Sequence, residues 1–217
     1  MTLSKRKLLT LISAFALAMS GSASTAQNTA IYSGLDRIHP VVAEHGMVAA
    51  QEKVAAKIGL EILKAGGNAV DASVAVGFAL AVTLPRAGNL GGGGFMIVHD
   101  AKAGSTKAID YREMAPSAAF KDMYLDDTGE PVKNRSRFHG LAIGVPGTVA
   151  GMVLALKQYG TMSLPQVIAP AIKLARDGIV VTASLSNNLK RAEKRLKKWP
   201  QTAAVFYKAD GGFYQVG

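Results

Sequence analysis

From Ala69 to Val82 the chain reads Ala-Val-Asp-Ala-Ser-Val-Ala-Val-Gly-Phe-Ala-Leu-Ala-Val, small and apolar on nearly every side, with Asn68 before it able to cap a helix. A helix without a polar face has nothing to offer water, so other elements must enclose it. Its alanines and glycine let those neighbours approach closely. The run reads as a helix buried in a folded core and not as a membrane span. Hydrophobic residues are 49% of the chain and charged ones 18%, enough apolar material to build that enclosure and inconsistent with a disordered chain.

The flanking sequence supplies candidates for the enclosing elements. Residues 27–40 read as an irregular leader. Val41 to Ala50 is extended in character, with Gly46 as a turn and Met47 to Ala50 as a short buried strand. Gln51 to Lys64 carries a helical apolar stripe that stops at Gly66-Gly67. After the glycine-rich passage Gly88 to Gly94, Phe95 to His99 and Thr106 to Tyr111 form a hairpin, and Leu141 to Val145 reads as a further strand. Helices follow from Thr148 to Tyr159 and from Ser163, which has capping-box spacing to Gln166, to Gly178. Pro170 should bend the second unless it falls in the first turn. Thr182 or Ser184 starts a basic helix ending near Trp199-Pro200, and the tail to Val216 resembles an incomplete hairpin. Helices layered on a sheet, an α+β arrangement, is the fold class these elements describe.

The N-terminus has a different character. Lys5-Arg6-Lys7, the apolar run Leu8 to Met19 and the small residues Ser20 to Ala26 have the three-part form of an export signal over residues 1–26. Twelve mainly apolar residues are too few for a spanning helix, so no anchor is expected after cleavage, and the destination is the periplasm or the exterior. Residues 27–217 are then the working protein. The chain has no cysteine, which removes disulfides, thiolate metal sites and a thiol nucleophile together. Its formal charge is +10, but removing the three cations of the signal leaves 22 basic against 15 acidic residues, or +7. Much of that excess lies between Lys190 and Lys198, a basic solvated helix face or an anionic-surface contact; no groove-reading motif points to nucleic acid.

Few motifs carry chemistry on their own. The glycine passage fits neither a phosphate loop, since no lysine follows Gly94, nor a dinucleotide fingerprint, since it lies between a helix and a strand. Close backbone packing is its plainer use. His39, His45, His99 and His139 have no metal-ligand spacing, no G-x-S-x-G elbow occurs, and no metal or cofactor is expected. Arg112, in Asp110-Tyr111-Arg112-Glu113, stands where the return strand ends, a place from which a guanidinium clamps a carboxylate with two hydrogen bonds. On residue type alone an ion pair with Asp110 or Glu113 is the stronger reading. Asp110 and Glu113 as an acid–base pair is weak, because their spacing fixes no useful separation.

Six blocks in order say more than any one: Gly46-Met47-Val48-Ala49, Ala65 to Ala72, Gly88 to Met96, Asp110 to Pro116, Pro146 to Gly151 and Leu174 to Gly178. Together they closely resemble the N-terminal part of bacterial gamma-glutamyltransferases (gamma-glutamyltranspeptidases), from about His39 to the end. The resemblance implies an N-terminal-nucleophile hydrolase, an αββα sandwich made as one precursor that cleaves itself into large and small subunits. It implies a truncated large subunit here, with the threonine nucleophile beyond Gly217, since this chain has no Thr-Thr pair. It implies acyl transfer from glutathione or another γ-glutamyl compound to water or to an amino-acid or peptide amine. It also makes Arg112 the clamp for the γ-glutamyl α-carboxylate, displacing the ion-pair reading. A cephalosporin-acylase-like amidase and a non-catalytic fragment stand as the alternatives.

Overall fold

A computed structural model describes residues 40–217, so the expected export segment at 1–26 and most of the leader lie outside the described residues. Residues 45–217 form one unit. Its elements, in chain order, are α1 (Lys53–Lys64), α2 (Ala69–Thr83), β1 (Phe95–Asp100), β2 (Ser105–Asp110), the short α3 (Arg135–Phe138), a 3-10 turn (Gly140–Ala142), α4 (Thr148–Tyr159), α5 (Leu164–Asp177), α6 (Ala183–Leu196) and α7 (Pro200–Phe206).

Helix α2 is enclosed, as its composition requires. Val74, Ala75 and Ala79 have no exposed surface and Phe78 is buried with them. Helices α1, α4 and α5 pack around it. Glycine sets two of those approaches: a Cβ on Gly59 of α1 would lie 2.6 Å from Val76 Cγ2, and one on Gly77 of α2 would lie 2.6 Å from Met152 Sδ of α4. Met152, Ala155, Leu156, Val167 and Ala171 complete the core from α4 and α5. The caps follow the sequence closely. Glu52 accepts from the amides of Val54 and Ala55, Asn68 accepts from those of Val70 and Asp71, and the Gln166 side chain accepts from the amide of Ser163. Helix α5 continues past Pro170 to Asp177, since a proline there deprives only the Gln166 carbonyl of its donor.

The hairpin pairs Phe95 with Asp110 and Asp100 with Ser105, antiparallel. Because side chains alternate, Met96, Val98 and Ile109 turn to the core while Phe95 and Ile97 stand outward, 64% and 75% exposed. The hairpin thus carries apolar side chains on both faces, with Asp110 opposite Phe95 on the outward one. Helices cover one.

Three expectations fail. Met47 to Ala50 is extended but forms no strand, and Met47 is exposed: no second strand among the described residues offers it a ladder. Leu141 to Val145 is a 3-10 turn and then a single antiparallel bridge from Val145 to Met114. The tail is not a hairpin; Pro200 takes the first position of α7, where its missing N–H costs nothing, and the chain after Tyr207 is irregular. Among the described residues no helix is long and apolar enough to cross a membrane.

Candidate functional site

Three segments meet at the open end of the hairpin: Gly88 to Gly94, Tyr111 to Met114, and Gly144 to Thr148. The Gly94 and Tyr111 backbones exchange hydrogen bonds of 3.3 and 3.1 Å, adding one rung beyond β2. On the other side Met114 and Val145 exchange bonds of 3.2 and 2.7 Å. The Gly92 carbonyl accepts from the amides of Gly147 (2.8 Å) and Thr148 (3.0 Å), so the glycine passage closes the first turn of α4. Asn89 Oδ1 accepts from the Gly92 amide and from the Thr148 hydroxyl, both at 2.8 Å. The packing reading of the passage therefore holds. A Cβ on Gly93 would lie 2.4 Å from the Glu113 amide nitrogen, and none of the glycines between Gly88 and Gly94 has positive φ.

Tyr111 locks this junction. Its ring lies in a notch where a Cβ on Gly151 would come within 2.1 Å of Cγ, and its carbonyl lies where a Cβ on Gly147 would be 2.0 Å away. Burial pushes its phenol above the usual range, and the hydroxyl donates to the Phe95 carbonyl at 3.4 Å. A residue so fixed presets the direction of the next one.

That next residue is Arg112, whose main-chain N–H donates to Asp110 Oδ1 at 2.9 Å. Asp110 thus serves the turn and not the guanidinium. The other expected partner, Glu113, reaches only Nε, at 3.6 Å, and the Arg112 side chain is 64% exposed. Among the described residues no other carboxylate lies within 4.0 Å of this guanidinium, so its two-nitrogen fork is open. The ion pair exists, in a loose single-contact form. Asp110 and Glu113 do not converge on a shared acid–base centre, since each already serves a neighbour.

The histidines hold no metal-like cluster among the described residues. His99 Nδ1 pairs with the Thr106 hydroxyl at 2.9 Å and His139 Nδ1 accepts from the Leu141 amide at 3.2 Å. His39 lies outside the described residues.

One charged residue escapes sequence reasoning. Asp71 has no exposed surface. It accepts from the amides of Asn68 (2.8 Å), Thr161 (3.0 Å) and Met162 (3.0 Å) and from the Thr161 hydroxyl (2.6 Å). Burial alone pushes its carboxyl up, but these hydrogen bonds outweigh it and hold the group below the usual carboxylate range. The Asn68-x-x-Asp71 capping-box spacing is the sequence signal for the local half of this role. The half that ties α2 to the α4–α5 turn has none.

Comparison with known proteins adds to this geometry. The family model for gamma-glutamyltranspeptidase matches residues 55–217. A glutathione hydrolase proenzyme of Escherichia coli (strain K12) is 55% identical over 174 residues, covering 80% of this chain and 30% of that protein. A Helicobacter pylori gamma-glutamyltranspeptidase crystal structure superposes with a TM-score of 0.79 at 46% identity, covering 82% of this chain and 51% of the other. A cephalosporin acylase from Bacillus halodurans superposes at 0.68 with 28% identity, covering 83% and 35%. The chain spans about a third of the length of the curated relatives it matches.

Proposed function

This chain belongs to the gamma-glutamyltranspeptidase family, and from that premise we propose that it is the front of the large subunit of an enzyme that transfers or hydrolyses γ-glutamyl groups. Its fold is part of the N-terminal-nucleophile hydrolase sandwich, in which the outward apolar face of the hairpin, with Phe95 and Ile97, waits for a second layer. In the proposed reaction a threonine hydroxyl from the small-subunit part of the precursor attacks the γ-amide carbon of glutathione or a related compound. The amine leaves with a proton, and water or an amino-acid or peptide amine then takes the acyl group from the resulting ester. Export of the mature protein, with residues 1–26 as its signal, belongs to the same proposal.

Arg112 carries the reading. Its backbone is fixed between two paired segments and its guanidinium is unsaturated, the state required of a group that must receive a substrate carboxylate. A fork built for a carboxylate discriminates strongly, since a substrate lacking that group leaves the cation unpaired. The greater likeness to glutathione hydrolases than to the cephalosporin acylase supports a γ-glutamyl donor over a dicarboxylate acyl side chain.

The test is Arg112→Lys in the complete precursor, assayed on a chromogenic γ-glutamyl anilide. Lysine keeps the charge but cannot form two parallel bonds, so KM should rise about 10- to 100-fold, with a smaller change in kcat. Unchanged KM would take Arg112 out of the substrate site. Turnover by the 217-residue chain alone would move the nucleophile into it.

A further inference from the structure

The basic helix α6 is absorbed neither by the core nor by the proposed chemistry. At 100° per residue Lys190, Lys194, Arg191 and Arg195 fall within an arc of about 140°, and Lys198 and Trp199 follow in the next turn. All six are exposed, Trp199 by 58%. Among the described residues none of these five cations has a carboxylate within 4.0 Å. Lys197 shows what a lysine used by the fold looks like here. It pairs with Glu193 at 2.7 Å, donates to the Gly211 carbonyl and lies 5.0 Å from the Tyr207 ring centroid. Glu193, the one acid of this stretch, is thereby neutralised.

Two further observations point outward. The guanidinium carbons of Arg137 and Arg195 stand 5.4 and 5.6 Å from the centroid of one ring, Phe138, which is half exposed. Two like charges are thus gathered at one aromatic without an acid between them. Beside them Phe138, Lys194, Arg195, Lys198 and Trp199 border an open hollow of about 570 Å³. The helix C-terminus favours cations only in its last turn, which does not account for Lys190 and Arg191. A repulsive cluster of this kind is relieved by an anionic ligand.

We propose that this face is a peripheral docking surface for anionic phospholipid bilayers, with the lysines and arginines over the headgroups and Trp199 at the water–lipid boundary. A one-sided array of cations edged by a tryptophan suits a charged plane, each cation near the surface adding to the attraction and the indole preferring the interface. A nucleic-acid strand would call for open stacking aromatics between the charges; along the chain none lies between Lys190 and Lys198, and the Phe138 ring is already taken by Arg137 and Arg195.

Trp199 is the single tryptophan of these 217 residues, and the emission lost in Trp199→Phe isolates its contribution in the complete protein. Mixing the complete mature protein, without residues 1–26, with phosphatidylcholine vesicles containing phosphatidylglycerol should shift the Trp199 emission to the blue and sediment the protein. Pure phosphatidylcholine vesicles or raised salt should abolish the shift. Neutralising Lys194, Arg195 and Lys198 together to Gln should lower binding about 100-fold. Neutralising the exposed Lys53, Lys57 and Lys107 to Gln removes the same net charge elsewhere and should leave the shift intact. Circular dichroism matching the parent shows that the substituted helix has folded. The proposal is overturned by an unshifted Trp199, by equal losses in the two triple variants, or by tight binding of a single-stranded DNA oligonucleotide without vesicle binding.

Discussion

Asp71 and Arg112 both lie in blocks that mark the family, yet the fold treats them oppositely. Asp71 is sealed in the core with four donors satisfying it, while Arg112 stands exposed with one loose contact at 3.6 Å. The first charge is consumed by the fold: it fastens the start of α2 to the turn between α4 and α5. The second is left open by it: Asp110 is occupied with the Arg112 main-chain N–H, and Glu113 reaches only Nε. Saturation therefore separates a charge used by the fold from one that the proposed function assigns to a ligand, and sequence position does not.

The largest effect should come from breaking the saturated side. In Asp71→Asn the amide turns an NH2 toward donors that need an acceptor, so about 3 kcal/mol of unfolding free energy should be lost, read by chemical denaturation. The pH dependence has a definite sign. The folded carboxyl titrates below its ordinary 3.8, so its contribution is present above that value and is lost as pH falls through the folded-state pKa. Below about pH 4 the parent should lose stability more steeply than Asp71→Asn. Parallel acid limbs would show that Asp71 is not a saturated ion.

Next in size is a change that reaches Arg112 through its support. Gly151→Ala places a methyl 2.1 Å from Tyr111 Cγ, so the ring must leave its notch, at a cost of about 2 kcal/mol. Because Tyr111 presets Arg112, the complete enzyme should also show a raised KM for the γ-glutamyl donor, resembling Arg112→Lys. A loss of stability with KM unchanged would separate the notch from the site.

How much of this was legible depends on how local the physics is. The boundaries of α1, α2, α5 and α6 come from caps within three or four residues, such as Asn68 and Ser163, and the sequence carries them, whereas the first turn of α4 is closed from a distance by the Gly92 carbonyl. The hairpin is equally local, since β1 and β2 supply each other's partners. Met47 to Ala50 and Leu141 to Val145 have strand composition, but a strand exists only where a neighbour accepts its hydrogen bonds, and composition does not say where that neighbour is. Asp71 was missed for the same reason: Thr161 and Met162 are ninety residues away. Arg112 was visible as a residue type at a strand end, while its availability rests on Asp110 turning to the backbone, which only coordinates reveal.

The smallest expected effect tests the open side most directly. Glu113→Gln removes the only carboxylate near the Arg112 guanidinium among the described residues, a contact between side chains 64% and 38% exposed. Solvent screens such a pair, so thermal unfolding should change by about 0.5 kcal/mol or less. If the fork is kept for a substrate, the KM of the complete enzyme should also move little, since Glu113 touches only Nε and leaves both terminal nitrogens to the ligand. A stability loss comparable to that of Asp71→Asn would mean that Arg112 is as fully used by the fold as Asp71. The contrast between the two charges would then collapse, and with it the reason for assigning Arg112 to the substrate.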